Sequence, residues 1–211
     1  MRFSILVALL LHVGIAGADW TGVAMEFSDY DSDWAFAGGD REAQHSSVSF
    51  QIEEKTDSGL RVGASIGYVD LRVVAATAAE TRKFDGEFFS VYLRQPFSIT
   101  DAIALHALLS YRYTSGNESG VDADAQIDWN ETTFELGASL RFAEIRMMPF
   151  TSYIDVDGDI SDDSGTAVFD MQEPASQGLR FDYFVDSSAF VRLELVSGGR
   201  SGGYLKFMRR Y

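Results

Sequence analysis

Cysteine is absent from this sequence, and only three of its 211 residues are proline. An exported chain without disulfides must gain its stability from side-chain packing or from a membrane. Basic residues are also scarce, since 17 Lys and Arg stand against 32 Asp and Glu. The resulting net charge of −15 argues against nucleic acid as a partner.

Long apolar runs are missing as well, apart from one at the N-terminus. Residues 5–15 are nearly all apolar, follow a basic start and precede the small-x-small sequence AGA. This pattern predicts a signal peptide at 1–18, cleaved after Ala18, and a single mature domain at 19–211. No other run approaches the ~20 apolar residues that a membrane-spanning helix requires.

Most of the remaining sequence alternates between apolar and polar residues. In TTFELGASLRF, Phe134 and Leu136 fall on one face, whereas Glu135 and Arg141 fall on the other. The same alternation occurs in LRVGASIGY, FSVYLRQPF, IALHALLSYRY, LRFDYFV, FVRLEL and the C-terminal GGYLKFMRRY. A period of two residues is typical of β-strands with one apolar and one polar face, and it predicts an all-β fold.

Short and long connections alternate between these strands. Short turns are predicted at centres 43 residues apart, namely Ser58, Asp101, Glu144 and Ser187. Long acidic or polar loops are predicted at 29–46, 74–86, 115–128 and 157–177. With 20–28 as the first strand and 203–211 as the last, the strand count is ten, or eight if two weak segments are loops. This layout predicts a closed antiparallel up-and-down transmembrane β-barrel with short periplasmic turns and long acidic extracellular loops.

Alternation alone also fits a soluble lipocalin-like periplasmic binding barrel, whose apolar faces would point inward. Three features favour the membrane barrel instead. Its polar faces are rich in Gly, Ser and Ala, which suit a narrow lumen, and a chain that ends on a strand needs a closed sheet. Aromatic residues also crowd the strand ends, as interfacial girdles require: Trp20, Tyr68, Phe88, Phe89, Phe97, Tyr111, Tyr113, Trp129, Phe142 and Tyr211.

The final strand carries a more specific resemblance. Its outward positions Leu205, Phe207 and Tyr211, together with the signal peptide and the alternating strands, resemble the small outer-membrane β-barrel proteins of Gram-negative bacteria. The resemblance covers essentially the whole mature chain. It implies a place in the cell outer membrane, contacts with its lipid and lipopolysaccharide, and recognition of Leu205, Phe207 and Tyr211 by the barrel-insertion machinery. Arg209 departs from the apolar face usual in that family.

Charged residues of both signs fall on the polar strand faces and are expected to fill the lumen. They are Arg61, Arg94, Arg112, Arg141, Arg180, Arg192, Lys206 and Arg210, with Glu53, Glu131, Glu135, Asp182, Glu194 and the lone lumen histidine, His106. Such a set predicts a salt-bridged plug or, alternatively, an anion-selective pore. Since small barrels are usually filled by their own side chains, the plug is favoured.

Two enzyme families have weakly similar residues. The His-x-Ser arrangement at His45 is similar to that of the lipid A deacylase barrels, with Glu53 or Glu54 as the orienting acid. A set of aspartates followed by His45 is similar to the omptin proteases, namely Asp29, Asp31 and Asp33. We expect His45 to be a surface-loop residue, and catalysis is not predicted.

One acidic segment, DVDGDISDD, places carboxylates at alternate positions around a glycine, as calcium loops do. Its candidate ligands are Asp155, Asp157 and Asp159, but Thr166 occupies the position of the bidentate glutamate. The segment is therefore expected to be an acidic surface loop that attracts divalent cations without forming a metal site. No cofactor is predicted.

These observations predict an integral outer-membrane protein without enzymatic activity, with a structural or surface-interaction role in envelope integrity or adhesion. A narrow passive channel, a lipid A-modifying barrel enzyme and the soluble lipocalin-like barrel remain as alternatives.

Overall fold

A computed structural model of the protein describes residues 18–74, 81–120 and 124–211, and these residues form eleven β-strands without a helix. The strands are β1 (Ala18–Phe36), β2 (Gly39–Thr56), β3 (Arg61–Val74), β4 (Arg82–Ser98), β5 (Ile103–Glu118), β6 (Gln126–Phe142), β7 (Ile145–Asp162), β8 (Gly165–Met171), β9 (Ala175–Phe184), β10 (Ala189–Gly198) and β11 (Arg200–Arg210). The predicted all-β fold is confirmed. Within the described residues, no helix has the length and apolar character to cross a membrane.

Ten of these strands close into an antiparallel barrel. Pairing runs from β1 through β7 to β9, β10 and β11, and β11 then returns to β1. The closing ladder is continuous from Gly22 opposite Arg210 to Ser32 opposite Arg200. The predicted ten-stranded up-and-down barrel is therefore confirmed for the described part of the chain.

Four short turns define one end of the barrel, which we call the turn end. They lie at residues 57–60, 99–102, 143–144 and 185–188, around the centres that the 43-residue spacing indicates. At the opposite end, the strands run further than the sequence suggested. The segment 29–46, predicted as a loop, forms the long hairpin of β1 and β2, and 157–177 contains the end of β7 and all of β8. Residues 75–80 and 121–123 of the other two predicted loops lie outside the described residues.

Strand β8 changes the number of strands around the barrel axis. Beyond the point where β9 begins, β7 pairs with β8 from Asp157 to Asp162, and β8 pairs with β1 at Trp34–Phe36. The ring at this height contains β1 to β8 and so has eight strands, whereas the ring below it has ten. The short strands β9, β10 and β11 end beneath β8, which allows the barrel to taper.

A band of exposed apolar side chains surrounds the ten-stranded ring. Phe134 is 47% exposed and Leu193 is 44% exposed, while the alternate side chains of the same strands are buried. The band includes Met25, Phe27, Phe50, Ile52, Ile66, Tyr68, Leu93, Leu105, Leu109, Leu136, Tyr153, Leu195, Leu205 and Phe207. This orientation is the one that a membrane barrel needs, because its outside meets hydrocarbon.

The polarity of the two faces reverses where the strands leave this band on the side away from the turns. On β3, Ile66 and Tyr68 point outward, but the next outward positions are Asp70 and Arg72. The inward positions change in the opposite sense, from Ser65 and Gly67 to the buried Val69, Leu71 and Val73. We call this reversed part the extension; it comprises residues 29–36, 39–46, 70–74, 82–87, 115–118, 126–130, 155–162 and β8.

The extension has an apolar core of its own. Trp34 stacks on Phe169 with ring centroids 4.3 Å apart and meets the edge of Trp129 at 5.6 Å. The remaining members are Ala43, Leu71, Val73, Phe84, Ile127, Val156, Ile160 and Met171 of the extension, and Val69, Phe88, Ala125 and Ile154 directly next to it. Phe88 and Trp129 thus lie inside and do not belong to the interfacial girdle to which the sequence assigned them. A smaller apolar cluster of Ala24, Phe184, Phe190 and Met208 lies in the lumen near the turn end.

Candidate functional site: the charged lumen

Ion pairs fill the lumen between the two apolar clusters. Seven basic and six acidic side chains take part in them: Arg61, Arg94, Arg146, Arg180, Arg192, Arg200 and Lys206, with Glu26, Glu53, Glu131, Glu135, Asp182 and Glu194. All of them lie on strands of the ten-stranded ring, at positions that alternate with the exposed apolar band.

Arg180 occupies the centre of this network and is only 4% exposed. Two of its nitrogens donate to the two oxygens of Glu135, each at 2.9 Å. Its Nε donates to Oε2 of Glu194 at 2.6 Å, and the Tyr30 hydroxyl donates to the other oxygen of Glu194 at 3.3 Å. Since Glu135 is on β6 and Glu194 is on β10, Arg180 links strands on both sides of β9.

Asp182 forms a second centre, two residues along β9. It accepts from Nε of Arg192 at 2.5 Å and from Nε of Arg146 at 2.9 Å. Nearer the turn end, Glu53 accepts a 2.6 Å hydrogen bond from Tyr92. Arg61 and Arg94 also approach Glu53, at 3.6 and 4.0 Å.

The outermost pair joins Glu131 of β6 to Arg200 of β11 through two hydrogen bonds of 3.0 and 2.6 Å. Lys206 of β11 meets Glu26 of β1 at 2.7 Å. The network therefore connects strands that are not neighbours in the sheet, and its side chains occupy the axis of the barrel.

The sequences of β9 and β10 explain why opposite charges meet. Arg180 and Asp182 alternate in sign on β9, and Glu194 and Arg192 do so in the reverse order on β10. The register places Arg180 opposite Glu194 and Asp182 opposite Arg192. Directly opposed unlike charges stabilise an antiparallel pair. A slip of one residue would turn these charges toward the apolar band.

Ten of the predicted lumen residues are brought into the ion pairs: Arg61, Arg94, Arg180, Arg192, Lys206, Glu53, Glu131, Glu135, Asp182 and Glu194. Four are placed differently. The Arg112 guanidinium stacks on Phe88 at 4.4 Å, His106 Nε2 contacts the Ser139 hydroxyl at 2.7 Å, and Arg141 is exposed near the turn end. The Arg210 guanidinium stacks on Trp20 at 4.7 Å.

Sequence reasoning missed three residues of the network. Glu26 lies in the weakly alternating first strand, and Arg146 lies near Pro149, which obscured the pattern. Arg200 precedes the last strand predicted at 203–211, although it already belongs to β11. Counting back in twos from Lys206 would have placed Arg200 on the inward face.

A separate ion pair group holds the extension together. Arg82 donates to both oxygens of Glu118, at 2.9 and 2.8 Å, and to Asp162 at 3.0 Å. Hydrogen bonds from Ser164, and then those from Arg82, lower the pKa of the Asp162 carboxyl to about 2. This group joins β4, β5 and β7 above the apolar band.

The enzyme-like residues do not assemble into an active site of either similar family. His45 faces the lumen and is 4% exposed, so the prediction of a surface-loop histidine is wrong and its ring has no access to lipid headgroups. Asp29, Asp31 and Asp33 point outward on β1, on the opposite side of the barrel wall from His45.

The acidic segment around Gly158 is a strand and not a loop, contrary to the expectation from sequence. Asp155, Asp157 and Asp159 lie along β7, where alternate carboxylates are spaced about 6–7 Å apart on one face. They therefore do not converge as calcium ligands do. Among the described residues, no group of three or more His, Asp or Glu side chains could hold a metal ion.

The three predicted insertion-signal residues at the C-terminal end are exposed. Leu205 and Phe207 belong to the apolar band, and Tyr211 follows the end of β11. The backbone of Tyr211 exchanges two hydrogen bonds with Thr21, at 3.1 and 2.8 Å. The last residue is thus joined to β1.

Comparison with known proteins bears on the fold. Neither a family model nor a curated protein matches the sequence. The translocator domain of the autotransporter NalP from Neisseria meningitidis is 14% identical, with a TM-score of 0.52, covering 100% of this chain and 95% of its own. The transport unit of the autotransporter AIDA-I from Escherichia coli is 6% identical, with a TM-score of 0.53, covering 99% and 96%. The chain has the fold of outer-membrane β-barrels. The outer membrane protease OmpT from Escherichia coli has a TM-score of 0.47 and 10% identity, covering 92% and 94%.

Proposed function

We propose that this protein is a non-conducting barrel of the bacterial outer membrane, with a structural or surface-interaction role. The observation that supports the proposal is that two layers of side chains block the lumen. Ion pairs fill the ten-stranded ring, and the apolar core of the extension closes the eight-stranded ring beyond it. A water-filled path for solutes would have to cross both layers.

The turn end faces the periplasm in this proposal, and the extension projects from the cell, as in barrels whose short turns are periplasmic. The outward face of the extension is strongly acidic, with Asp29, Asp31 and Asp33 on β1 and Asp155 and Asp157 on β7. Divalent cations held at this surface would connect it to the phosphates of lipopolysaccharide, which gives the protein a role in envelope integrity.

Location and closure are tested together by cell fractionation with heat-modifiable gel mobility. We expect the chain in the outer-membrane fraction, with faster migration before boiling than after. Tyr211→Ala should lower the folded fraction in that membrane if the insertion machinery reads the last strand. A soluble periplasmic product would contradict the proposal.

The non-conducting state is tested in planar lipid bilayers. We expect no current steps from the purified folded barrel, while a general porin measured in parallel shows that insertion is detected. Steady single-channel steps from this protein would favour the narrow-channel alternative.

The structural role is tested by deleting the gene and measuring uptake of a hydrophobic fluorescent probe across the outer membrane. Uptake should rise, and the wild-type gene should restore it. Replacement of Asp29, Asp31 and Asp33 by Asn should restore it only in part, whereas a matched Asp57→Asn variant in a periplasmic turn should restore it fully. Unchanged uptake in the deletion strain would contradict a role in envelope integrity.

A further inference from the structure

Several polar side chains at the boundary between the charged lumen and the extension core have no partner. Both ring nitrogens of His45, Oγ of Ser32 and Oγ1 of Thr114 form no hydrogen bond among the described residues. All three side chains are more than nine-tenths buried. Buried polar groups are almost always satisfied, so a group of them without partners points to a bound species.

Arg112 faces the same region with an uncompensated charge. Its guanidinium lies 4.4 Å from the centroid of the Phe88 ring, and it forms no ion pair with a described carboxylate. The residue opposite Arg112 on β6 is Glu131, but both oxygens of Glu131 are engaged by Arg200. Two guanidinium groups therefore face Glu131, and the next carboxylates, Glu26 and Glu194, are engaged by Lys206 and Arg180. Excess buried charge is costly unless it is paired.

These side chains come from different strands but share one layer of the lumen. Glu131 reaches from β6 across to Arg200 on β11, and the Arg200 guanidinium lies 5.2 Å from the centroid of the Tyr30 ring. The Tyr30 ring in turn lies 5.6 Å from the ring of His45. The lumen is thus narrow enough here for side chains of opposite walls to touch.

The remaining donor belongs to the same wall as Arg112. Thr114 lies two residues further along β5 on the same inward face, at about 6–7 Å along the strand. Its cross-strand partner is Phe88, the residue on which Arg112 stacks.

We propose that this layer binds a small monovalent inorganic anion of the size of chloride. Arg112 supplies the compensating charge, and the ring N–H of His45 and the hydroxyl of Thr114 supply further donors. Among the described residues of this layer, the unpartnered side chains can donate hydrogen bonds and the charge without an ion pair is that of Arg112, which favours an anion over a cation. The extension core lies directly beyond the site and keeps bulk water from replacing the ligand.

Thermal unfolding tests the site in the full folded barrel. The protein is refolded in sodium chloride, in sodium bromide or in sodium gluconate at equal ionic strength, because gluconate is a much larger anion than either halide. We expect Tm to be higher in the two halides by roughly 5–10 °C at about 100 times Kd, the scale of single-site binding for a chain of this length. Arg112→Met should abolish the difference, and the matched variant Arg141→Met at the exposed turn end should keep it.

Anomalous scattering from crystals of wild-type protein refolded in bromide provides a direct measurement. We expect one bromide peak within hydrogen-bonding distance of the Arg112 guanidinium. An equal halide effect in Arg112→Met would overturn the proposal. If that variant does not fold, the wild-type map decides alone, and ordered waters without a bromide peak would overturn it.

Discussion

Replacement of Arg180 by methionine tests whether the lumen network stabilises the barrel as a paired set of charges. The substitution keeps much of the side-chain volume but removes the cation that donates to Glu135 twice and to Glu194. Two buried carboxylates would then lose their cation. Removal of one partner from a buried ion pair costs about 3–5 kcal/mol, mostly because the other charge stays buried without compensation.

The same reasoning predicts that stability is recovered when the two unpaired carboxylates, Glu135 and Glu194, are neutralised as well. In the triple variant Arg180→Met, Glu135→Gln, Glu194→Gln, no charge of this group remains. Replacement of a whole buried ionic group by neutral residues is often close to neutral, so the triple variant should regain most of the loss. Arg141→Met, at an exposed position, should change the free energy of unfolding by less than about 1 kcal/mol.

The measurement is equilibrium urea unfolding of the barrel in lipid vesicles, followed by the fluorescence of its three tryptophans. Coincident folding and unfolding curves are needed before free energies are compared. A single variant within 1 kcal/mol of wild type would refute the reasoning. So would a triple variant that is less stable than Arg180→Met.

Three further predictions concern the band, the close packing of the wall and the extension. Phe134→Arg in the apolar band should cost about 2–4 kcal/mol in vesicles, whereas Asp157→Arg on the extension should stay within about 0.5 kcal/mol. Equal effects would place the membrane boundary elsewhere. Gly67→Ala should destabilise the barrel by about 1–3 kcal/mol because its Cβ would lie 2.5 Å from the Phe88 ring, while Gly38→Ala, with open space around it, should be neutral. The lowered pKa of Asp162 stabilises the folded extension above about pH 4, and this contribution is lost as pH falls toward about 2. The protection factors of the extension's amides, measured relative to intrinsic exchange at each pH, should therefore fall over that range, and Asp162→Asn should remove this part of the pH dependence.

The alternating pattern predicted the strands of the barrel and the two faces of each strand, and the small residues of the polar faces and the C-terminal strand favoured the apolar face as the outer one. Each of these depends on local residues, because a period of two assigns every side chain to a face. The predicted orientation of Leu105 and Phe134 is confirmed by their exposure of 47% each.

The extension could not be predicted in the same way. Its strands keep the period of two, but their polarity is reversed, so Asp29, Asp31 and Asp33 appeared to belong to a loop. A reversal of this kind marks the point where the surroundings of the wall change from hydrocarbon to water, and it is visible on β3 between Tyr68 and Asp70. The pairing of β8 with both β7 and β1 involves contacts remote in sequence, which periodicity does not contain.

Most members of the lumen network were predicted from the sequence, but their connections were not. The sign alternation on β9 and β10 could have been used to set their register, which places Arg180 opposite Glu194. The contacts of Arg180 with Glu135 and of Arg200 with Glu131 depend on how closely the walls approach, and the sequence does not record that distance.

Along the edge where the barrel closes, β1 pairs with two different strands, β11 and β8. β11 holds β1 from Gly22 to Ser32, and three residues of β8 hold it from Trp34 to Phe36. If the hydrogen bonds between β1 and β11 were to open from the turn end, the pairing of β1 with β8 at Trp34–Phe36 would still join β1 to the rest of the sheet. The stacked rings of Trp34 and Phe169 would stabilise that pairing. Lateral opening of the barrel between β1 and β11 would consequently be widest at the turn end and would stop at the pairing with β8.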